Sequence, residues 1–199
     1  SSGSITTLST SGDAVLGNTG TITTATLAST GTSSSSNSIG TLTMSNGTLN
    51  NTSGASVTNL TLSGGNFNVA SGVTVGGVSA ANSTVSVTGG TATNNGGTFR
   101  ALSLDGGTLA NNTGTVNKML FTSGTITSGG TISDLQFNTT GAYGNIASTG
   151  AGSINMNVDT NNVTYANVLS GNGALIKSGA SRLSITGNSS THSGTFNVT

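Results

Sequence analysis

The sequence predicts an all-β fold: a parallel β-helix with about 17 residues per rung and three short strands in each rung. Three observations carry this. An eight-residue pattern, apolar-x-apolar-x-x-Gly-x-apolar, is clearest in Leu102-Ser-Leu-Asp-Gly-Gly-Thr-Leu109 and returns at Leu42–Leu49, Leu60–Phe67, Val85–Ala92 and Met119–Ile126. Weaker copies begin at Leu8, Ala25 and Leu135, and subtracting each start position from the next gives 17, 17, 18, 25, 17, 17 and 16. Self-similarity at a fixed period of this size is the signature of a solenoid. Within each copy apolar and polar residues alternate, which is the period of a half-buried strand and not of a helix. Composition agrees: 199 residues hold 32 glycines, no proline and only 4% charged residues, so the Glu and Lys that helices draw on are scarce.

The first, third and eighth positions of the pattern define three inward columns. A fourth lies three residues upstream of each start, at Ile5, Ile22, Ile39, Val57, the misfit Asn82, Phe99, Val116 and Ile132. No rung can bury such residues alone; stacking rungs about 4.8 Å apart closes the space between them and pairs the backbone. A chain this rich in Ser, Thr, Asn and Gly resembles a disordered segment in composition, but disorder gives no reason for four columns to stay in register.

Taken in order, residues 1–38 form two looser rungs, with Thr10 and Thr32 at inward positions and a polar turn at Ser33–Asn37. Residues 39–72 match tightly, and Gly47 and Gly65 stand at a corner where a residue without a side chain can take a positive φ. Residues 73–82 break the period, and their extra length is expected to loop out from one corner, since surface loops accept insertions at little entropic cost. Gly90, Gly107 and Gly124 continue the glycine corner until Thr140 replaces it. Regular rungs thus occupy 1–142. From 143 to 199 the register alters, with Ile154 and Met156, then Tyr165 and Val168, as inward pairs. The whole is expected to be one β-helical segment. Its abrupt ends, without a cap or a basic-then-apolar leader, lead us to expect a longer natural protein.

The last segment, Gly171 to Val198, is the most specific. Gly171, Gly173, Leu175, Lys177, Gly179, Leu183, Ile185, Gly187 and Gly194 follow the pattern of the autotransporter-associated β-strand repeat, which this stretch closely resembles. Ser181 stands where that pattern has glycine and His192 where it has tyrosine. The resemblance identifies the chain as similar to the passenger of a type V secreted autotransporter. It implies a right-handed β-helix displayed on the outer surface of a Gram-negative bacterium, and a separate membrane β-barrel. Among passengers, a cysteine-free chain poor in charge and insertions most resembles the self-associating adhesins of aggregation and biofilm formation.

The chemistry available is sparse. The formal net charge is zero, which gives no electrostatic ground for nucleic acid or an anionic membrane. No run approaches the roughly 20 apolar residues of a spanning helix, so this segment is not expected to insert in a membrane. The charged set is Asp13, Asp105, Asp134, Asp159, Lys118, Lys177, Arg100 and Arg182, with His192 the only histidine. Asp13 and Asp105 lie about five rungs apart, too far for the roughly 5–9.5 Å of paired glycosidase carboxylates. His192, in the turn Thr-His-Ser, reads as a solvated histidine without a partner acid or nucleophile turn. One histidine and no cysteine cannot fill a metal shell. We expect no enzyme, no metal and no cofactor. Thr-x-Thr pairs at Thr21/Thr23, Thr41/Thr43, Thr91/Thr93 and Thr125/Thr127 bear on ice binding, but they fall at different offsets, so only some share a face.

The candidate site is a face. Positions flanking the eighth-position column point outward; they read Thr48, Asn66, Thr91, Thr108 and Thr125 on one side and Asn50, Asn68, Thr93, Ala110 and Thr127 on the other. An uncharged strip of hydroxyls and amides can meet its own copy without like-charge repulsion. The expected partners are copies of the same chain on neighbouring cells, with host surface proteins or glycans as the alternative.

Overall fold

The computed structural model describes residues 4–10, 20–36, 38–52, 54–77 and 85–199. Among them stand 21 strands and no helix. The strands pair in parallel with their counterparts one rung away, and together they build a β-solenoid of about ten turns. Leu102 pairs with Met119 and Leu42 with Leu60, so the stacked coils stand about 18 residues apart and keep the period of the sequence.

Each rung has three sides, but not always three strands. Ile39–Met44 and Thr48–Asn51 make one rung, whereas three rungs on a single strand, Thr98–Asn111, traverses the same path. Ladders run through the bend between the first and second sides by skipping one residue: Ile22↔Ile39 is followed by Thr24↔Thr41, and Phe99↔Val116 by Ala101↔Lys118. The chain therefore turns without losing its backbone partners, which is why the expected separate strands merge.

The inward columns of the sequence are buried from Ile22 onward, whereas Ile5 and Leu8 in the first rung are half-buried. The first runs Ile22, Ile39, Val57, Val75, Phe99, Val116, Ile132, Ile154 and Leu175, each at most 1% exposed. Beside it stack Leu42, Leu60, Val85, Leu102, Met119 and Leu135, then Met44, Leu62, Val87, Leu104 and Phe121; across the interior stand Leu49, Phe67, Ala92, Leu109 and Ile126. The misfit in this column, the one upstream of each pattern start, resolves: Val75 fills it, pairing with Val57 below and Phe99 above. The insertion therefore falls between Val75 and Val85, at the bend where neighbouring ladders already skip a residue. Asn82 and most of that loop lie outside the described residues, as does Asp13.

Two inward assignments move by one residue. Ser33, not Thr32, pairs with Leu49 and is buried, leaving Thr32 outward. Likewise Leu169, not Val168, is the buried partner of Ile146. In both places a corner differs by one residue from the regular rung, and side-chain direction alternates, so the slip reverses every face beyond it.

The glycine corner has two causes. Gly47, Gly65, Gly90, Gly107 and Gly124 all have positive φ, between 67° and 97°. A Cβ on Gly65, Gly90, Gly107 or Gly124 would also run into the carbonyl of the corner glycine one rung below. Gly144, not Thr140, continues this stack on Gly124.

A fifth inward column escaped the apolar pattern because much of it is polar: Ser35, Asn51, Val69, Asn94, Asn111, Ser128 and Ser148, of which the polar members are at most 1% exposed. Asn94 Nδ2 donates to Asn111 Oδ1 (3.0 Å), and Asn111 Nδ2 to Ser128 Oγ (3.0 Å). The Asn94 carboxamide also closes its own corner, accepting from Gly97 N (2.9 Å) and donating to Gly97 O (3.2 Å). Gly114 has no room for a side chain because Asn94 occupies that space. Val69 interrupts the ladder, and beneath it both amide atoms of Asn51 are buried without a partner.

The two asparagines should respond oppositely to the same change. Asn111→Val strands the partners of a buried network and should cost about 1–3 kcal/mol, whereas Asn51→Val removes an unpartnered amide and should stabilise by about 1 kcal/mol. Urea midpoints of the two variants check this. Leu102→Asp, placing an unpaired charge among buried neighbours, should lower the midpoint most, by at least about 4 kcal/mol equivalent.

Candidate functional site

The outward strip follows from the register of the strands beneath it. Thr48↔Asn66↔Thr91↔Thr108↔Thr125 form one row, and Asn50↔Asn68↔Thr93↔Ala110↔Thr127 the other, each residue a direct parallel partner of the next. All ten predicted positions lie on one sheet face, half-buried or exposed, flanking the buried column from Leu49 to Ile126. Thr32 and Ser34 extend the rows by a further rung. Sequence reasoning missed them because of the one-residue slip in that rung. At about 4.8 Å per step the six rungs from Thr32 to Thr125 span roughly 24 Å. Asn68 Nδ2 donates to Asn50 Oδ1 (2.7 Å), so this pair is already braced along the row. No Asp, Glu, Lys or Arg stands in either row.

The charges lie elsewhere and do not converge. Asp105 accepts from Ser123 Oγ (3.2 Å) at the corner between the second and third sides. The Asp134 carboxylate accepts from Gln136 Nε2 (3.2 Å) and Asn157 Nδ2 (3.0 Å). No three of His, Cys, Asp and Glu gather among the described residues. His192 is not the solvated residue its turn predicted: it is half-buried beside Leu169, Ile185 and Phe196, and both ring nitrogens are shielded without a partner. Its rung stacks on Gly171, which draws the imidazole over the interior.

The late rungs widen, and the step creates a groove. Met119 pairs with Leu135, but Leu135 pairs with Met156, so the later rung holds more of the chain than the earlier one. The extra residues enlarge the corner between the second and third sides and form a further pair of strands, Val163–Tyr165 with Leu183–Ile185. The enlarged interior is filled by aromatic rings: Tyr143 stacks on Phe121 (5.7 Å) and on Tyr165 (6.2 Å), and meets Phe137 edge-on (5.1 Å). Tyr165 is 1% exposed and its hydroxyl donates to Gly144 O (2.6 Å), with Val168 O at 3.2 Å. Where the wider rungs project past the narrower ones lies a cavity of about 150 Å³. Leu120, Phe137, Val158 and Val163 supply its apolar lining, and Gln136, Asn157, Asp159 and Asn161 its polar one. Leu120 is 39% exposed in an outward row whose neighbours are Ser103 and Gln136. Sequence reasoning found none of this, because the groove depends on the difference in width between consecutive rungs.

No protein-family model matches this chain, and no curated protein or solved structure matches it either. No helix among the described residues is long and apolar enough to cross a membrane.

Burial pushes the Tyr165 phenol far above its usual value, and Tyr143 shifts in the same direction for the same reason. The folded state thus holds these protons more tightly than the unfolded chain. Their contribution to stability is complete below the unfolded value of about 10 and is lost as pH rises above it. Thermal melts should hold level up to about pH 10 and then fall, and Tyr165→Phe should flatten that fall while lowering stability by about 1 kcal/mol at neutral pH through the lost hydrogen bonds.

Proposed function

We propose that this chain is a segment of a bacterial surface adhesin, of the autotransporter passenger kind, that acts by self-association and drives cell aggregation and biofilm formation without enzymatic activity. One observation carries the reading: two rows of Thr and Asn, interrupted only by Ala110 between Thr48 and Thr127, in register across consecutive rungs of one face and free of charge. Each amide brings donors and an acceptor, and each threonine a hydroxyl that does both. Two such faces can therefore pair in more than one register, each bond contributing only about 0.5–1.5 kcal/mol. Many weak bonds repeated along a rigid lattice yield reversible adhesion whose strength grows with the number of rungs engaged. The resemblance of residues 171–198 to the autotransporter-associated repeat supplies the cellular setting. Replacing Thr91, Thr108 and Thr125 together by Lys leaves the buried columns untouched and puts like charges face to face. Association in sedimentation experiments should weaken at least about tenfold, and displayed cells should cease to clump. A folded triple variant that associates as before would exclude this face.

A second reading, recognition of a host glycan, is favoured by the groove beside Leu120. Asp134 holds one N–H each of Gln136 and Asn157, which orients both amides, while Asp159 and Asn161 add acceptors over an apolar floor. That combination suits the hydroxyls and ring face of a neutral saccharide and disfavours a uronate. Lactose and N-acetylglucosamine titrations, followed by amide chemical shifts, should perturb this groove in the native chain and not in a Gln136→Ala/Asn157→Ala variant.

A further inference from the structure

The chain contains three Asn-Gly steps, at Asn46-Gly47, Asn95-Gly96 and Asn172-Gly173. The fold treats them differently. Gly173 N donates to Ser148 O (2.9 Å), and Asn172 Oδ1 accepts from Gly150 N (2.8 Å), so both reacting groups are tied into the rung below. Gly96 lies in a backbone bridge with Ala70, and Asn95 Oδ1 accepts from Asn112 Nδ2 (2.8 Å). Asn46 is exposed at the glycine corner, and the Gly47 amide leaves the ladder and donates instead to the Oδ1 of Asn46 itself (2.9 Å). The amide carbon open to attack is bonded to that oxygen, so nucleophile and electrophile are held side by side, the situation in which proximity lowers a barrier most.

We infer that Asn46 is a site of spontaneous modification, where the folded corner promotes succinimide formation and ages the surface of the protein. Gly47 N loses its proton to solvent and attacks Asn46 Cγ. The new C–N bond closes a five-membered ring, the C–NH₂ bond breaks, and ammonia leaves carrying the returned proton. Water then opens the ring at either carbonyl, giving aspartate or isoaspartate; no redox partner is involved. Either product places a carboxylate two residues before Thr48. Isoaspartate also lengthens the main chain between two anchored groups, Ser45 N on Leu27 O (3.0 Å) and Thr48 N on Gly31 O (2.9 Å). Resting on the self-association reading above, this charge at the edge of the neutral strip weakens the contact between copies as the protein ages.

The test is to incubate the folded chain in mildly alkaline buffer and locate the mass increase by fragment-ion mass spectrometry, with a denatured sample in parallel. The expected result is deamidation at Asn46 about tenfold or more faster than at Asn95 and Asn172 when folded, and similar rates for all three when denatured. Asn95 or Asn172 keeping pace in the folded sample, or Asn46 remaining intact, would overturn the site. Sedimentation of Asn46→Asp against Asn46→Gln reads the consequence separately. Weaker association of the aspartate variant supports it; equal association overturns the link to the strip and not the chemistry, which the mass data decide.

Discussion

Every feature of this solenoid depends on parallel backbone pairing between consecutive rungs. A strand inside the stack has its N–H and C=O groups satisfied only if the rungs on either side follow the same path, because unpaired buried peptide groups are costly. The glycine corner shows how narrow that path is: the carbonyl of one corner glycine fills the space that a side chain on the next would need. The bend between the first and second sides is the exception, since ladders there already skip a residue. Length can be added at that point with little loss of pairing: the ladder passes from Val57↔Val75 to Leu60↔Val85, and there the chain places its insertion.

The same pairing explains an interior that is not wholly apolar. Asn94, Asn111 and Ser128 succeed one another in a buried column because Asn94 bonds to Asn111 and Asn111 to Ser128 at the rung spacing, and each also bonds to backbone at the adjoining corner, Asn94 to Gly97, Asn111 to Thr131 O and Ser128 to Gly130 O. A satisfied ladder of this kind fixes which rung sits on which, as alternatives would leave amides unpartnered. Asn51 beneath Val69 is the unsatisfied end of that logic.

Outside, the register set by the core is inherited by side chains that make no core contact. Thr48 to Thr125 align because Leu49 to Ile126 stack. A face so ordered is rigid before it meets a partner, which reduces the entropic cost of forming many weak contacts at once. Widening beyond Leu135 breaks the flat profile and turns a uniform exterior into one with a groove.

The fold class, the period, four of the five inward columns, the glycine corner through Gly124 and the outward strip from Thr48 to Thr127 were all legible in the sequence, because strict alternation converts each position into a direction. It left the fifth column unread, since Asn and Ser at an inward position look like surface residues until their partners one rung away are known. It misplaced Thr32 and Val168, where a corner of altered length shifts the count, and it did not single out Val75 for the upstream column. Only the tertiary contacts settle that Val75 closes the upstream column, that Tyr143 and Tyr165 fill a widened interior, and that in one of three Asn-Gly steps the glycine amide turns from the ladder to its own asparagine. Each of these depends on contacts between rungs, and residues a whole rung apart along the chain carry no mark in the sequence of which hydrogen bond will join them.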